Sequence, residues 1–353
     1  MLYDLIIVGQ GIAGTVLYDH LKDKFKNIVI ISNTNFVDST KVASGVYNPI
    51  SLRRCVLSWK INQIMPISLS YYQKLQKEIN QNIIFPLNII KLFFNKSDLD
   101  MWKVKQNNTE VGKYIKEIYN KIDYKNLNKN LGGALISPSG YVDINLIREF
   151  FLNKMKEKNI FLNEKFDYSS LKINSSIIKY KHIQAKKIVF CEGDRGLLNP
   201  FFNEKMFNPC KGEVITIKTS KDFSLKHILS KEVFILPKKT NVFQIGSTYD
   251  RDYNSRNKTD QAKDFLIKKL DKILNLDYKV ISHKSSIRPT VIDRRPIIGS
   301  HKKHQNMYIF NGFGSKSVTL VPYFAKLFSY NLSINKPMIT EVNPYRFNEK
   351  LTF

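Results

Sequence analysis

Three glycines near the N terminus have the spacing of a phosphate-binding loop. The hexapeptide GQGIAG places Gly9, Gly11 and Gly14 in the pattern G-x-G-x-x-G. The first glycine permits a tight turn, the second lets the backbone approach a pyrophosphate, and the third lets a helix pack against a strand. Unpaired N–H groups at the start of that helix, here Ile12 and Ala13, then bind negative charge. The loop predicts dinucleotide binding, and a βα turn without a ligand is the alternative.

The segments around this loop predict a βαβ unit, but without the acidic residue that usually completes it. An apolar run, DLIIV, ends at Gly9, helical periodicity extends from Ile12 to Phe25, and a second apolar run, NIVIIS, follows. The acid that binds the adenosine ribose normally follows the second strand. Ser32 and Asn33 stand there instead. Either side chain still bonds a ribose diol without charge assistance, so we expect weaker binding. Neither favours the 2′-phosphate of NADP.

Two further stretches place polar and glycine residues where they can meet a ligand. Residues 288–299 read RPTVIDRRPIIG, and residues 311–317, between a predicted strand and a predicted helix, read NGFGSKS. A glycine turn before a helix directs N–H groups at an electron-rich ligand. A guanidinium such as that of Arg288 suits bidentate binding of a carboxylate.

This closing segment resembles that of the FAD-dependent D-amino-acid oxidase superfamily, which includes glycine and sarcosine oxidases. Its members share a pattern like R-P-x-T-x-D-x-x-P-x-I-G, then a strand, G-x-G and a helix. Here Arg288, Pro289, Asp293, Pro296, Ile298 and Gly299 match the pattern, and the threonine, Thr290, stands one position earlier. The stretch KVASGVYNPI at residues 41–50 resembles the small-residue loop that lies against the flavin. KIVFCEG at residues 187–193 resembles the strand and turn beneath the adenosine half. One departure is Ser317, where the family often has glycine.

The resemblance implies that FAD is the cofactor and that it is bound non-covalently. Members with covalent flavin use a cysteine near the R-P segment, whereas Cys55, Cys191 and Cys210 fit no such motif. The residues expected to bind FAD are Gly9, Gly11, Ile12, Ala13, Gly14, Ser32, Asn33, Ala43, Ser44, Gly45, Asn48, Cys191, Glu192, Gly193, Arg288, Gly312, Phe313, Gly314, Ser315, Lys316 and Ser317.

The implied activity is oxidation of a C–N bond in a small amine or amino acid. A hydride passes from the substrate carbon to flavin N5, and water hydrolyses the resulting imine. The resemblance assigns Arg288 to the substrate carboxylate, with a structural ion pair in the core as the alternative. Lys316 is expected to add positive charge near the flavin, unless it is simply exposed. Tyr249 is expected to form part of the pocket wall, unless it only packs there.

The order of elements predicts an α/β fold, α+β overall. A Rossmann-like FAD-binding domain is expected from residues 1–60, 131–204 and 286–353. A substrate domain built on an antiparallel sheet, residues 61–130 and 205–285, is inserted in it. Strands are expected at 166–172 and 176–180, and Asp143 is expected to cap a helix.

The bulk composition indicates a globular cytoplasmic protein. Hydrophobic residues make up 43% of the 353 residues, and no run approaches the roughly 20 apolar residues of a membrane span. The apolar start LIIV is too short for a signal peptide. Three scattered cysteines predict neither a disulfide framework nor a metal site.

The net charge of +26 leaves the partner open. The lysines are scattered among Asn and Ile residues, a pattern typical of AT-rich coding sequences, so nucleic acid is not the favoured partner. Two alternatives nevertheless stand beside the amine oxidoreductase. One is an FAD oxidoreductase that modifies the wobble uridine of tRNA, and the other is a non-catalytic FAD-binding protein. The sequence does not predict the oligomeric state.

Overall fold

The computed structural model describes residues 1–347 except 175, 203, 221 and 222, so residues 348–353 of the predicted first domain lie outside the described residues. The α-helices of the described part are α1 Ile12–Leu21, α2 Ser39–Val42, α3 Ile61–Ile79, α4 Lys96–Gln106, α5 Ile144–Glu157, α6 Asp260–Asp271 and α7 Ser317–Ser333. Short 3-10 turns lie at Gly112–Tyr114, Tyr168–Ser170, Gly193–Leu198, Glu204–Met206, Gly314–Lys316, Thr340–Val342 and Pro344–Phe347.

The strands of the same residues form two large sheets and two small ones. In chain order they are β1 Leu2–Val8, β2 Ile28–Ile31, β3 Val46–Tyr47, β4 Ile50–Ser51, β5 Val56–Leu57, β6 Ile84–Pro86, β7 Ile89–Leu92, β8 Ile115–Tyr119, β9 Gly133–Ile136, β10 Gly140–Val142, β11 Phe161–Leu162, β12 Leu171–Ile173, β13 Ile178–Tyr180, β14 Ile183–Phe190, β15 Cys210–Thr219, β16 Ile228–Ser230, β17 Phe234–Lys239, β18 Val242–Gly246, β19 Tyr278–Arg288, β20 Ile297–Ser300 and β21 Met307–Asn311.

The first large sheet contains the βαβ unit that the sequence predicts. Strand β1 pairs in parallel with both β2 and β14, and α1 connects β1 to β2. The order is β11-β2-β1-β14-β13-β12, with β21 parallel to β14 and β20 antiparallel to β21. The four residues of β2 are buried, as expected for a strand covered on both faces. Helix α1 ends at Leu21 rather than Phe25, because the next residues turn back onto the Leu21 carbonyl.

The second large sheet is the predicted mainly antiparallel one. Its order is β19-β15-β18-β17-β16-β7-β9-β8, and only β16 and β7 pair in parallel. The ten-residue β15 pairs with β19 on one side and β18 on the other. Leu266 and Leu270 of α6 are fully buried in the apolar cluster of this sheet. The mixed α/β class expected from the sequence is therefore confirmed.

Two elements lie across the predicted domain boundaries. Helix α3 packs on α7, where Ser68 and Tyr72 donate hydrogen bonds to the carbonyls of Thr319 and Val318. Strand β9 pairs with β7 and β8 in the second sheet. The apolar face of α3 draws it to the first core, and β9 is drawn to the second sheet by its pairing. The division into two domains stays a prediction.

The strand predicted at residues 166–172 is wrong over most of its length. Only Leu171–Ile173 forms a strand, whereas Tyr168–Ser170 forms a 3-10 turn. The Asp167 carboxylate accepts hydrogen bonds from Ser169 N, Ser169 Oγ and Ser170 Oγ, which holds the turn. A local side-chain cap therefore outcompetes the β propensity of this segment.

Candidate functional site

One continuous cleft, lined from both large sheets, brings most of the predicted residues together. Its wall includes Gly9, Gly11, Ile12, Ala13, Ser32, Asn33, Ala43, Ser44, Gly45, Cys191, Glu192, Gly193, Arg288, Phe313, Gly314, Ser315 and Ser317. The predicted residues that lie outside the wall are Gly14, Asn48, Tyr249, Gly312 and Lys316. The cleft thus extends from the end of β2 to the end of β19.

The glycine loop is shaped by two close backbone approaches. Gly9 has a φ of +101°, and a Cβ on it would lie 2.4 Å from the carbonyl oxygen of Cys191. A Cβ on Gly14 would lie 1.9 Å from the carbonyl oxygen of Gly9. These contacts require glycine at both positions, because they let β1, α1 and the end of β14 meet.

The N terminus of α1 faces the cleft, and its partial positive charge is not neutralised by an acidic side chain in the first turn. Gly11 is the N-cap, no side chain caps the helix in the usual way, and the first turn carries no acidic residue. Among the bonds of the described residues, only Ile12 N of this first turn receives an acceptor from outside the helix, the hydroxyl of Thr40 at 2.9 Å. A Cβ on Gly11 would meet just that hydroxyl, at 3.1 Å. The helix dipole and the open cradle at Gly11 fit a pyrophosphate.

Sequence reasoning missed the pair that holds this loop from behind. Gln10 Nε2 donates to the backbone carbonyl of Arg148 at 2.9 Å, and Arg148 Nε donates to the backbone carbonyl of Gln10 at 3.1 Å. Arg148 is 6% exposed and lies 3.9 Å from the Asp38 carboxylate. The available signal was an arginine among the apolar residues of the α5 segment INLIREFF. The two reciprocal bonds fix the loop between Gly9 and Gly11.

At the end of β2, the side chains of the serine and asparagine that follow the strand already have backbone partners. Ser32 Oγ accepts a hydrogen bond from Gln10 N at 3.2 Å, and Asn33 Oδ1 accepts one from Asn35 N at 2.9 Å. The half-buried carboxylate of Glu192, across β1, accepts hydrogen bonds from Tyr168 Oη and Asn199 Nδ2. Burial raises the pKa of Glu192 to about 7. The Glu192 carboxyl group is therefore only partly ionised at neutral pH, although the bonds from Tyr168 and Asn199 favour its ionised form.

At the other end, two loops enclose the site expected to hold the flavin ring. Gly45 has a φ of +71°, and a Cβ there would lie 1.9 Å from the carbonyl oxygen of Val142. Asn311, which sequence reasoning also missed, accepts from Gly312 N at 2.8 Å and donates to Gly193 O at 2.7 Å. Asn311 thereby joins the turn after β14 to the turn after β21.

Three of the predicted residues outside the wall lie close behind or beside it. Lys316 Nζ donates to Asn48 Oδ1 at 3.3 Å, and burial lowers the pKa of Lys316 to about 8. Tyr249 is 56% exposed, and its ring centre lies 5.8 Å from the guanidinium carbon of Arg288. The hydroxyl of Tyr249 accepts a hydrogen bond from Arg251 at 2.8 Å.

Arg288, at the end of β19, is held by neutral groups only. Nη2 donates to Ser247 Oγ at 2.8 Å and to Thr248 O at 3.2 Å, and Nη1 donates to Lys211 O at 3.3 Å. Across the described chain, no carboxylate lies within ion-pair distance of it. Gly212 makes room for the fork, because a Cβ there would lie 2.0 Å from Nη2. An unpaired guanidinium at the end of a cleft is suited to an anionic ligand.

The residues present fit the FAD that the sequence resemblance implies. The cleft offers the N terminus of α1 for a pyrophosphate. Gly11 leaves the space that a phosphate needs, and the turn at Gly312–Ser317 precedes the N terminus of α7. The structure thus contains the space and the N–H donors that the predicted dinucleotide-binding loop requires.

A family model and several known proteins are similar to this chain. Residues 4–331 match the DAO model, which describes FAD-dependent oxidoreductases. Glycine oxidase from Pseudomonas aeruginosa is 25% identical over 161 residues, which are 44% of this chain and 44% of that protein. The bifunctional tRNA 5-methylaminomethyl-2-thiouridine biosynthesis protein MnmC from Idiomarina loihiensis is 23% identical over 158 residues, 43% of this chain and 26% of that protein. The chain therefore spans less than half the length of these curated relatives.

Solved structures share the fold along nearly the whole chain. Iminodiacetate oxidase from Chelativorans sp. BNC1 superposes with a TM-score of 0.78 at 17% identity, covering 94% of this chain and 96% of that one. Glycine oxidase from Geobacillus kaustophilus superposes with a TM-score of 0.74 at 18% identity, covering 95% of each chain. Among the described helices, none has the length and apolar character needed to cross a bilayer.

Proposed function

The chain belongs to the DAO family of FAD-dependent oxidoreductases, and from this premise we propose that it oxidises the C–N bond of a small amino acid at the Arg288 end of the cleft. FAD is the cofactor, and when bound it supplies the hydride acceptor. The observation that carries the proposal is the unpaired guanidinium of Arg288 in the cleft wall. This position is consistent with a substrate anion rather than with the structural ion pair that the sequence left open.

Arg288 binds and orients the substrate carboxylate. Its hydrogen bonds to Ser247, Thr248 and Lys211 hold the guanidinium plane in one direction. A carboxylate approaching from the cleft is then bound in a fixed orientation, which aligns the carbon that loses hydride. Val214 and Phe234 form an apolar wall at the same end and exclude water there.

The turn after β21 is the second electrostatic element of the proposal. Backbone N–H groups of Gly314–Ser317, apart from Lys316 N, which donates to Phe313 O at 3.2 Å, stabilise negative charge on the ligand, as a helix N terminus does. Lys316, with its lowered pKa, adds a proton-bearing group behind this turn through Asn48. Non-covalent attachment of FAD belongs to the same proposal, since the free cysteines of the described chain are all buried and Cys210 lies against Arg288 rather than the turn.

The test is anaerobic reduction of the purified flavoprotein, followed by visible absorption. We expect small amino acids to bleach the flavin, and the matching amines without a carboxylate to do so with about 100-fold weaker half-saturation, because a charge-assisted contact is lost. Arg288→Gln is expected to weaken half-saturation by a similar factor while retaining FAD. Arg251→Gln is the matched control, because Arg251 bonds Tyr249 beside the site but does not line the cleft. Equal reduction by amines, or an unchanged Arg288→Gln variant, contradicts the proposal.

A second candidate is supported by the similarity to MnmC and by the charge of +26. In this reading, the oxidised group is a modified wobble uridine of tRNA. Filter binding of tRNA at several salt concentrations distinguishes the two, because phosphate contacts give a steep dependence on salt. A flavoprotein that no amine or amino acid reduces would support the non-catalytic alternative. The cytoplasmic location stays a prediction.

A further inference from the structure

The position that usually carries an acidic residue after β2 holds Ser32, and its hydroxyl is engaged by the glycine loop. Ser32 Oγ accepts the hydrogen bond from Gln10 N at 3.2 Å. Asn33, the next residue, uses its side-chain oxygen within its own turn. Neither residue offers a carboxylate, so a charge-assisted partner for the ribose of an adenine nucleotide has to come from another residue at this end of the cleft.

The neighbouring strand brings an acid to the same place. Strand β11 pairs in parallel with β2, and Ser32 N donates to Leu162 O at 3.0 Å. Just beyond, Thr34 N and Thr34 Oγ1 donate to Asn163 Oδ1 at 2.9 and 3.0 Å. The segments that follow the two strands therefore run side by side. The next residue, Glu164, lies in the cleft wall together with Ser32.

The Glu164 carboxylate is held in position and kept ionised. Tyr180 Oη donates to Oε1 at 2.7 Å, and Lys181 Nζ donates to Oε2 at 2.9 Å. Burial opposes ionisation, but the bonds from Lys181 and Tyr180 outweigh it and hold the pKa of Glu164 below its ordinary value. Each carboxylate oxygen has two lone pairs, so after accepting one of these bonds each oxygen can still accept another. Phe166, stacked on Tyr180 at 4.4 Å, adds a flat apolar surface to the wall.

The other carboxylates of the described cleft wall are engaged elsewhere. Asp38 caps α2 by accepting two of its backbone N–H groups. Asp194 is paired with Arg256. Glu192 has a raised pKa, and its two oxygens already accept hydrogen bonds from Tyr168 and Asn199. Glu164 is therefore the ionised carboxylate best placed to accept further bonds near the end of β2.

We propose that Glu164 binds the 2′- and 3′-hydroxyls of the FAD adenosine, and so replaces the acid that Ser32 does not supply. A carboxylate accepts one hydrogen bond from each hydroxyl of a cis diol, and it repels a 2′-phosphate. The inference rests on the proposed function only in requiring that FAD is the cofactor. The ribose of the adenosine is then bound by a residue that follows β11, the strand next to β2, rather than by a residue at the end of β2.

The experiment titrates the full chain, freed of flavin, with ADP and with 2′,3′-dideoxy-ADP by calorimetry. We expect wild type to prefer ADP by on the order of 100-fold, because the dideoxy analogue lacks both hydroxyls and so loses two hydrogen bonds to a charged group. In Glu164→Gln the preference is expected to disappear. Glu157→Gln, an exposed glutamate at the end of α5, removes the same charge away from the cleft and is expected to behave as wild type.

The outcomes separate this inference from the proposed function. A wild-type preference for ADP that persists in Glu164→Gln overturns the role of Glu164. A wild-type chain that does not bind FAD at all contradicts the proposed function instead. Adding Ser32→Glu to Glu164→Gln returns an acid to the end of β2 and is expected to restore the preference. Where Glu164→Gln does not fold, Glu164→Asp withdraws the carboxylate by one methylene and is expected to reduce the preference.

Discussion

The substitutions Gly14→Ala and Gly11→Ala lie in the same loop, but we expect the first to reduce stability and FAD affinity and the second to reduce FAD affinity alone. A Cβ on Gly14 would stand 1.9 Å from the carbonyl oxygen of Gly9, whereas real Cβ contacts are not shorter than 3.0 Å. Helix α1 must therefore move away by more than about 1 Å. That movement disturbs Val16, Leu17 and Leu21, which are fully buried. Overpacking of this kind costs about 1–3 kcal/mol, and backbone contact places Gly14→Ala near the upper value.

Gly11→Ala meets no such obstacle in the empty protein. Gly11 has φ −74° and ψ −176°, which any residue adopts, and a new Cβ would touch only Thr40 Oγ1 at 3.1 Å. The methyl group would, however, occupy the space through which a pyrophosphate approaches the backbone. Loss of two charge-assisted hydrogen bonds lowers FAD affinity by about 100-fold. Apoprotein stability is expected to change by less than about 1 kcal/mol, as for substitutions that meet no close contact.

The assay measures urea unfolding of both apoproteins and FAD binding by quenching of flavin fluorescence. We expect Gly14→Ala to lose both stability and affinity, and Gly11→Ala to lose affinity alone. If Gly11→Ala destabilises the apoprotein as much as Gly14→Ala does, the cradle at Gly11 is a packing contact and the reasoning is refuted. A Gly14→Ala variant as stable as wild type refutes the account of α1 packing.

Three more outcomes are expected. Burial lowers the pKa of Lys316 from its ordinary value of 10.5 to about 8, so between these pH values the unfolded chain binds one proton more than the folded chain. The free energy of unfolding of the apoprotein should therefore rise from about pH 8 to 10.5. In urea titrations, Lys316→Met should remove that rise. Glu213→Ala should lower the free energy of unfolding by about 3–5 kcal/mol, because it leaves the ammonium of Lys211, 3% exposed and 2.9 Å away, unpaired. Glu232→Ala breaks the partly exposed pair with Lys269 and should lower it by less than about 1 kcal/mol. Equal losses in the two variants would contradict this account. Acid precipitation should release the flavin into the supernatant, and flavin that stays with the pellet would show a covalent bond.

The elements around the glycine loop were predictable because short-range chemistry determines them. Gly9 and Gly14 are required by backbone contacts that the G-x-G-x-x-G spacing encodes. Asp143 caps α5 as predicted, accepting a hydrogen bond from Leu146 N at 3.1 Å. Local signals of this kind lie within a few residues of one another, so they are visible in the sequence. They predicted the glycine-rich cradle for FAD, which stays a prediction, and the fold class, which is confirmed.

Contacts between distant segments were not predictable in the same way. Gln10 and Arg148 are 138 residues apart, and only the fold brings their backbone and side-chain groups together. Glu164 reaches the end of β2 because β11 pairs with that strand, a pairing that no local pattern specifies. The turn at Tyr168–Ser170 was mistaken for a strand because the capping by Asp167 outweighs the propensity of its neighbours.

The hydrogen bonds that fix Arg288 determine when its conformational freedom is lost. An unrestrained arginine side chain gives up about 2 kcal/mol of rotamer entropy on being ordered. In this protein, Ser247, Thr248 and Lys211 order the side chain as the chain folds, before any ligand arrives. A ligand with few atoms has little binding energy to offset such ordering. Under the proposed function, the cleft would therefore discriminate among molecules as small as the simplest amino acids by their orientation, where a mobile arginine would only attract them.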